Sequence, residues 1–350
     1  MILPPFFPSL LLPWFRSTRK PLPWRTSPPD PYFIWVSEIM LQQTRIEAVI
    51  PYFLRFTEAF PDIHALAAAD EDSVLRLWQG LGYYSRARNL HKTARILAES
   101  YGGSFPRDPA LLRKLPGIGD YTAGAIASIA FGLPEPAVDG NVLRVLARFL
   151  ASADDIALPG TRRAAADALR EIYPTGDDAG AFTEGLMELG ETVCIPGGEP
   201  RCALCPLRDS CAAHAAGTEE DYPVKTEKKP RRIEDRTVLI LRDSAGRLAI
   251  RRRSEAGLLS GLWEFPNCGG CLGEEEVRAA LAEAGVSGVR AVRLLPPTRH
   301  IFTHVEWRMT WYEVECGTFG GCFTAADEAE LREKYAMPKA FFPGVRGLDK

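Results

Sequence analysis

Glu38 stands where a carboxyl group is suited to proton transfer. It lies in the middle of a helical pattern that begins at Pro31, and its neighbours Trp35 and Ile39 are apolar. Burial among such side chains disfavours the charged carboxylate and raises its pKa, which suits a general acid. A surface glutamate on the polar face of the helix is the alternative interpretation for Glu38 taken alone.

A second carboxylate, Asp139, is presented by a turn between two helical stretches. Residues 115–148 read as a tight turn at Gly117 and Gly119, an apolar helix from about Tyr121, a proline-bounded loop, and a second helix entered at Asp139. Unpaired amides at a helix start can hold a phosphate. For an isolated aspartate in this setting an N-cap is the simplest interpretation.

The cysteines predict a metal centre. The chain has eight, it is large and it shows no export signal, so metal ligation in a reducing compartment is favoured over disulfides. Four of them could close around one iron–sulfur cluster or one zinc ion, namely Cys194, Cys202, Cys205 and Cys211. The other four could bind zinc if strands bring them together, or could be free thiols: Cys268, Cys271, Cys316 and Cys322.

The elements that must position these residues fall into two regions. Helical patterns dominate up to residue 213, after a proline-rich arm that is expected to be loose, and one helix is expected to start at Pro51. A charged segment follows and indicates a linker, with a basic stretch that could contact a DNA backbone. Strand-like alternation then begins at 238 and predicts strands at 248–252 and 305–315 among others, interrupted by one amphipathic helix at about 274–284.

Composition sets the limits for these regions. The 350 residues allow about two domains, and 46% hydrophobic with 25% charged residues is ordinary for a globular protein. A net charge of -3 gives no global nucleic-acid signal, so DNA contact would need a local basic face. The apolar N-terminus contains prolines and no preceding cationic region, so neither a signal peptide nor a membrane span is expected.

An ordered set of motifs closely resembles the MutY-type adenine DNA glycosylases, which belong to the helix-hairpin-helix superfamily together with endonuclease III. The resemblance covers nearly the whole chain. The motifs are LPWR at Leu22, SEIMLQQT at Ser37, GLGYYSRARNL at Gly80, LPGIGDYTAGA at Leu115, VDGNVLRVLAR at Val138, the four-cysteine loop, GLWEFP at Gly261 and FTH at Phe302.

The resemblance implies a multidomain protein. An all-α helix-hairpin-helix glycosylase domain at 1–213 would carry a [4Fe-4S] loop at 194–211. A charged linker at 214–236 would lead to an α+β Nudix-like domain at 237–350, similar to MutT, that recognises 8-oxoguanine.

The resemblance also implies the reaction, which is hydrolysis of the N-glycosidic bond of a flipped adenine mispaired with 8-oxoguanine or guanine. Glu38 matches the acid that protonates the base, and Asp139 matches the carboxylate that stabilises the sugar cation. Asn141 and Tyr121 match residues that orient the site. Endonuclease III has a Schiff-base lysine where this chain has Tyr121, so a monofunctional glycosylase is expected.

Further roles carry over from the same motifs. Trp24, Arg25 and Glu184 match the adenine pocket. The residues that match DNA and opposite-base contacts are Gln43, Thr44, Leu81, Tyr83, Gly117, Gly119, Phe302, Thr303 and His304. The implied partner is double-stranded DNA, the expected state is a monomer, and the expected location is cytoplasmic, or nucleoid-associated if the source is bacterial.

Two departures from the family pattern have consequences. Seven residues separate Cys194 from Cys202 where the family usually has six, and the two glycines there favour a bulge that keeps the cluster. The C-terminal region lacks the acidic Nudix box, so it is expected to recognise a base and not to hydrolyse nucleotides.

Three alternatives stay open: a thymine or uracil mismatch glycosylase, a non-catalytic iron–sulfur DNA-binding protein, and a Nudix hydrolase with a helical appendage.

Overall fold

The computed structural model describes residues 1–226, 230–254 and 257–344. Two compact units are present, one formed by Met1–Ala69 and Arg88–Glu227, the other by Asp70–Ala87 and Lys228–Lys350. Residues 227–229 of the predicted linker, among them the basic Lys228 and Lys229, and residues 345–350 of the predicted C-terminal domain lie outside the described residues.

The first unit is built from helices, and the second unit combines its own helices with a sheet. Within the described ranges the α-helices are α1 (Phe7–Thr18), α2 (Pro31–Leu41), α3 (Ile46–Ala59), α4 (Ile63–Ala68), α5 (Glu71–Leu77), α6 (Ser85–Ser100), α7 (Pro109–Leu112), α8 (Asp120–Ala125), α9 (Gly140–Phe149), α10 (Pro159–Arg170), α11 (Asp177–Thr192), α12 (Ala212–Ala216), α13 (Glu274–Glu283) and α14 (Glu328–Glu333). A π-helical segment, Ile126–Ala130, continues α8.

The second unit is built on a mixed sheet. Its described strands are β1 (Arg232–Arg242), β2 (Leu248–Arg252), β3 (Trp263–Glu264), β4 (Asn267–Gly269), β5 (Ala291–Ile301), β6 (Val305–Glu315) and β7 (Thr324–Ala326). The order is β3-β2-β1-β6-β5, with β4 on β1 and β7 on β2. The β1 and β6 strands pair in parallel, whereas β5 and β6 form an antiparallel hairpin.

Alternation along β6 gives the sheet two buried faces. Trp307, Met309 and Trp311 point into one apolar cluster, which also contains Phe341. Residues of opposite parity, Tyr312 and Val314, belong to a second cluster, together with Val277 and Leu281 of α13. Both sides of β6 therefore contact apolar clusters, whereas its hairpin partner β5 is largely exposed.

The N-terminal segment is a helix, so the prediction of a loose arm is wrong. Pro8 lies in the first turn of α1, where a missing N–H costs little, although Pro13 lies inside the helix. Buried side chains, among them Phe7, pack with Phe149 and Phe182, at ring-centroid distances of 4.9 and 6.1 Å. This burial stabilises the helix in spite of its proline content.

The helix expected to start at Pro51 in fact begins at Ile46, with Pro51 inside it. Other expectations are confirmed: α2 starts at Pro31, and β2 and β6 have the predicted bounds. The β1 strand begins at Arg232, inside the segment predicted as a linker. Among the described residues, none of the helices combines the length and apolar character that crossing a bilayer requires.

Candidate active site

A cleft of about 1480 Å³ in the first unit gathers the predicted catalytic and adenine-binding residues. Helices α2, α8, α9 and α11 contribute half of its polar side chains. The predicted residues that line it are Trp24, Arg25, Glu38, Gln43, Thr44, Gly117, Gly119, Tyr121, Asp139, Asn141 and Glu184.

Glu38 projects from α2 into this cleft and is only 6% exposed. Burial raises its pKa from 4.5 to about 7, and the negative charges of Asp139 and Glu184 act in the same direction. The Tyr121 hydroxyl donates a hydrogen bond to Glu38 Oε2 at 2.5 Å, which opposes this rise. A carboxyl group in this environment is partly protonated at neutral pH, as a general acid requires.

Asp139 is the N-cap of α9 and also faces the cleft. Its Oδ1 accepts a hydrogen bond from the Val142 N–H at 2.8 Å, and its Oδ2 accepts one from Asn141 Nδ2 at 2.8 Å. Burial raises the pKa of Asp139, and both hydrogen bonds counter that effect because they stabilise the charged form. The prediction that Asp139 is an N-cap is therefore confirmed. The same carboxylate also lines the cleft.

Arg25 joins two carboxylates on α11. Its Nε lies 2.7 Å from Glu184 Oε1, and its Nη2 lies 2.9 Å from Glu188 Oε2. The side chains of Arg25 and Glu188 are 9% and 6% exposed, so this is a buried network. Trp24, which precedes Arg25, packs edge-on against Phe53 and closes the same wall of the cleft.

The predicted backbone contacts with DNA lie along the same cleft. Gly117 has φ 77°, and a Cβ there would lie 2.7 Å from Asn89 Cβ, so only glycine fits. Gly119 is the N-cap of α8 and leaves the first amides of that helix without a side-chain cap. After α2, the exposed Gln43 adopts φ 61° beside Thr44. A left-handed non-glycine residue at this position marks a strained turn at the cleft.

The other predicted recognition residues belong to the second unit. Tyr83 lies in the loop after α5, adopts φ 48° and is 45% exposed, whereas Leu81 in the same loop is buried. The Tyr83 hydroxyl hydrogen-bonds to that of Thr303, in the turn between β5 and β6. Phe302 packs on Trp307 at 4.9 Å, and His304 is exposed. The structure thus brings Tyr83 and the predicted turn together.

The cysteine loop starts two residues after α11. All four thiols, Cys194, Cys202, Cys205 and Cys211, are half-buried and unpaired by disulfides. Burial raises the pKa of Cys202 to about 11 and that of Cys205 to about 12, and proximity to the other thiols adds to both shifts. Arg148 Nη1 lies 3.4 Å from Cys194 Sγ. Four neighbouring thiols with a cationic donor beside one of them fit a metal group held by thiolates.

The extra residue of this loop is accommodated where the two glycines were expected to allow it. Gly197 and Gly198 both adopt left-handed backbone conformations, with φ 71° and 69°, and a Cβ at either would meet open space. A hydrogen bond from the Arg201 N–H to the Val193 carbonyl at 3.0 Å closes the bulge. The spacing of seven residues therefore leaves all four cysteines in one loop.

The described residues favour free thiols over a zinc site for the second cysteine set. Cys268 of β4 lies opposite Thr237 of β1 in the antiparallel strand pairing. The Cys316 thiol donates a hydrogen bond to the carbonyl of Arg242, at the end of β1. Five residues of one strand separate these positions, or about 16 Å at the usual rise per residue. Within the described ranges, the group of metal-ligating side chains found close together is Cys202, His214 and Glu219, which includes no member of the second cysteine set.

Two residues of the site were missed from the sequence: Glu188, which lines the cleft, and Arg144, which contacts the cleft residue Asn141. Glu188 follows Glu184 by four positions, and Arg144 follows Asn141 by three, so helical spacing was the available signal. Arg144 Nη2 donates to Asn141 Oδ1 at 2.9 Å and its Nε donates to the Cys194 carbonyl at 2.8 Å. This fixes the Asn141 amide so that its NH₂ group faces Asp139.

Comparisons with known proteins match both regions of the chain. Residues 36–172 match the HhH-GPD superfamily of base excision DNA repair proteins, and residues 237–343 match the NUDIX domain. The human adenine DNA glycosylase is 34% identical over 86% of this chain and 65% of its own length. The relative of the same name from Buchnera aphidicola subsp. Baizongia pistaciae (strain Bp) is 35% identical over 74% of this chain and 73% of its own length.

Solved structures match the helical part. A thermostable thymine-DNA glycosylase superposes with a TM-score of 0.54 and 27% sequence identity. The match covers 60% of this chain and 95% of that protein. This chain covers less than two thirds of the length of the human relative. In contrast, it covers nearly all of the thymine-DNA glycosylase.

Proposed function

The chain belongs to the adenine DNA glycosylase family, and we propose that it removes adenine from double-stranded DNA in which the adenine is paired with 8-oxoguanine or guanine. The observation that carries this proposal is the cleft in which Glu38, with its pKa raised to about 7, lies with Asp139 and the Arg25–Glu184 pair. These are an acid, an anion and a polar recognition pair, which are the groups that adenine release requires.

In the proposed reaction Glu38 protonates N7 of a flipped adenine. Protonation turns the base into a better leaving group, and the sugar acquires oxocarbenium character as the bond breaks. Asp139 stabilises that cation or bonds to it transiently, as carboxylates do in retaining glycosidases. Glu38, now ionised, can then accept a proton from the attacking water.

The recognition residues have complementary roles in this proposal. Glu184 accepts a hydrogen bond from the exocyclic amine of adenine, and Trp24 and Arg25 shape the pocket. Gln43, Thr44, Leu81 and Tyr83 fill the vacated stack and contact the opposite base, while Phe302, Thr303 and His304 sense 8-oxoguanine. Gly117 and Gly119 hold the DNA backbone through their amides.

Tyr121 makes the proposed enzyme monofunctional. A phenol cannot form the imine by which a lysine cleaves the strand, and here the hydroxyl is already hydrogen-bonded to Glu38. The expected product is therefore an abasic site in an intact strand.

The proposed cofactor is a [4Fe-4S] cluster held by Cys194, Cys202, Cys205 and Cys211. Such a cluster would cross-link the loop that follows α11, and it supplies no group to the base. The chain's own residues connect the loop to the cleft, because Arg144 bonds to both the Cys194 carbonyl and Asn141.

We also propose that the enzyme acts as a monomer, in which one chain supplies every catalytic and recognition residue. Residues 1–213 would carry catalysis and residues 237–350 would recognise the opposite base, with 214–236 as the connection. Because its substrate is DNA, its place of action would be the cytoplasm, at the nucleoid if the source is bacterial.

Release of the free base tests this function. Full-length protein is incubated with a duplex that carries adenine opposite 8-oxoguanine, and the free base is identified by chromatography. The strand is analysed before and after alkali. We expect free adenine, an intact strand before alkali and a break after it. No base release would contradict the proposal, whereas a break before alkali would contradict only the monofunctional assignment.

A second candidate, a thymine mismatch glycosylase, has one observation in its favour, the structural match reported above. That match leaves about 40% of this chain uncovered, whereas the human adenine DNA glycosylase aligns with 86% of it. The adenine assignment is therefore the better supported of the two.

A further inference from the structure

The segment Asp70–Ala87 belongs to the same compact unit as the sheet, although residues 88–227 separate the two parts of this unit in sequence. It consists of α5, the loop that carries Tyr83, and the start of α6. The family model of base excision repair proteins includes this segment within residues 36–172. The contacts that place Asp70–Ala87 in this unit come from residues far away in the chain, after residue 227.

Two side chains on α5 and just after it bind backbone carbonyls near α14. Arg76 Nη1 donates to the carbonyl of Glu333, the last residue of α14, at 2.6 Å. Gln79 Nε2 donates to the carbonyl of Met337 at 3.2 Å. The final carbonyls of a helix lack partners within it, and a cation there is also favoured by the helix dipole. Arg76 thus caps α14.

The other end of α5 is attached through charges. Arg252, the last residue of β2, lies 3.5 Å from carboxylate oxygens of both Glu71 and Asp72, in the first turn of α5. The α5 helix is therefore held at both ends, by carbonyl contacts at its C-terminal end and by ion pairs at its N-terminal end. Contacts at two ends fix the orientation of a helix, which one contact would not.

The loop after α5 is rigidly connected to that helix. Trp78 is fully buried, and its Nε1 donates to the Gly82 carbonyl at 3.1 Å. The Gly80 N–H donates to the hydroxyl of the buried Tyr84 at 3.3 Å. Any rotation of α5 would therefore move Tyr83, the exposed residue of the loop that meets Thr303.

We propose that Arg76, Gln79 and Arg252 are positioning residues, which dock α5 on the sheet unit and so set Tyr83 against Thr303 for reading the base opposite the adenine. This inference rests on the proposed function. None of the three side chains lines the cleft that holds Glu38 and Asp139. Their loss should consequently lower the rate of adenine removal opposite 8-oxoguanine, which needs the Tyr83–Thr303 contact, more than the rate opposite guanine.

Two independent variants of the full chain test the proposal. One is the double substitution Arg76→Ala with Gln79→Ala, and the other is Arg252→Glu, which places three carboxylates together. Single-turnover rate constants are measured for adenine opposite 8-oxoguanine and opposite guanine. We expect each variant to lower the ratio of the two by about three- to tenfold, since exposed ion pairs and single hydrogen bonds have modest strength.

A rescue and a control make the result specific. Adding Glu71→Lys and Asp72→Lys to Arg252→Glu reverses the ion pairs and should restore the ratio. Glu274→Lys breaks an exposed ion pair with Arg278 on α13, away from this segment, and should leave the ratio unchanged.

Three outcomes separate the possibilities. A lower ratio, with the rate opposite guanine reduced less than the rate opposite 8-oxoguanine, supports the proposal. If the two rates fall by the same factor, or if neither changes, the positioning role is wrong while the glycosylase function stands. If the wild-type protein releases no adenine from either duplex, the proposed function itself fails.

Discussion

Burial controls the proton on Glu38. The side chain is 6% exposed and lies near two further carboxylates, Asp139 and Glu184, both of which favour its neutral form. Arg25 and the Tyr121 hydroxyl favour the charged form, but burial outweighs them, so that the pKa reaches about 7. The group can therefore give up a proton at neutral pH and take one back.

Replacing Glu38 by Gln removes this proton donor at almost constant volume. We expect the single-turnover rate of adenine release to fall roughly 10²- to 10⁴-fold, the usual contribution of a general acid. Binding of the mispaired duplex, measured by fluorescence anisotropy, should persist. Wild-type activity in the variant would contradict this role and would favour a non-catalytic DNA-binding protein.

The pH dependence of the rate reports the same group. The acid form is the active one, so the rate should fall as pH rises through about 7. In Tyr121→Phe the hydrogen bond that stabilises the carboxylate is lost, and the pKa of Glu38 should rise further. The fall in rate should then move to higher pH.

A buried tyrosine outside the cleft provides the control for this shift. The Tyr32 hydroxyl donates to the Phe60 carbonyl at 2.6 Å, and Tyr32 does not line the cleft. Tyr32→Phe should leave the pH profile in place. An unchanged or acid-shifted profile in Tyr121→Phe would show that Glu38 is not the titrating acid.

At the scale of elements, α11 is the wall on which the cleft is built. Glycines along it let other elements approach: a Cβ at Gly180 would lie 3.0 Å from Ile129 Cα, and one at Gly185 would lie 3.2 Å from Phe15 Cβ. At Gly190 an added Cβ would lie 2.6 Å from Asn141 Cβ. Close packing of α11 on α9 therefore places the Asp139–Asn141 pair in the cleft.

Gly190→Ala should displace that pair. Since the clash is with Asn141 on both backbone and Cβ, α9 has to move, and a misplacement of this kind can cost roughly 10- to 100-fold in rate. Single-turnover rates and Tm are measured together. The matched change is Gly160→Ala, in the first turn of α10 with nothing within 4 Å, which should preserve the rate. Equal rates in both variants would refute the packing argument.

The sequence predicted those elements whose pattern is local. The bounds of β6 follow from its alternation, and the start of α2 follows from Pro31 with Asp30 as its N-cap. The α1 helix was missed because its stability comes from burial against distant residues such as Phe149 and Phe182, which outweighs the proline penalty.

The same distinction applies to the site. Motif positions identified Glu38, Asp139 and Glu184, which the structure gathers in one cleft. Glu188 and Arg144 were missed because their importance lies in long-range partners, Arg25 for the first and the Cys194 carbonyl for the second. Helical spacing made them candidates, but only the fold identifies what they contact.

At the scale of the whole molecule, the cysteine loop connects the end of α11 with α12, so its integrity should matter beyond the loop. We expect Cys205→Ser to lower the iron content per chain, the visible absorbance and the Tm, because one of four thiolate ligands is lost. Cys322→Ser, an exposed thiol outside the loop, should change none of them. Zinc in place of iron in the wild-type protein would overturn the cluster assignment.

The two units divide the work of recognition in this proposal. The cleft that selects the adenine belongs to the first unit, while Tyr83 and Thr303 belong to the second. The fold alone does not decide the target base, since part of this chain also matches a thymine-DNA glycosylase. Specificity for adenine is the central claim that follows.

Single-turnover cleavage of three duplexes tests that claim most directly. The duplexes carry adenine opposite 8-oxoguanine, adenine opposite guanine and thymine opposite guanine, and strand breaks are counted after alkali. We predict the fastest release of adenine opposite 8-oxoguanine, slower release opposite guanine, and no release of thymine. Cleavage at thymine without cleavage at adenine would contradict the assignment.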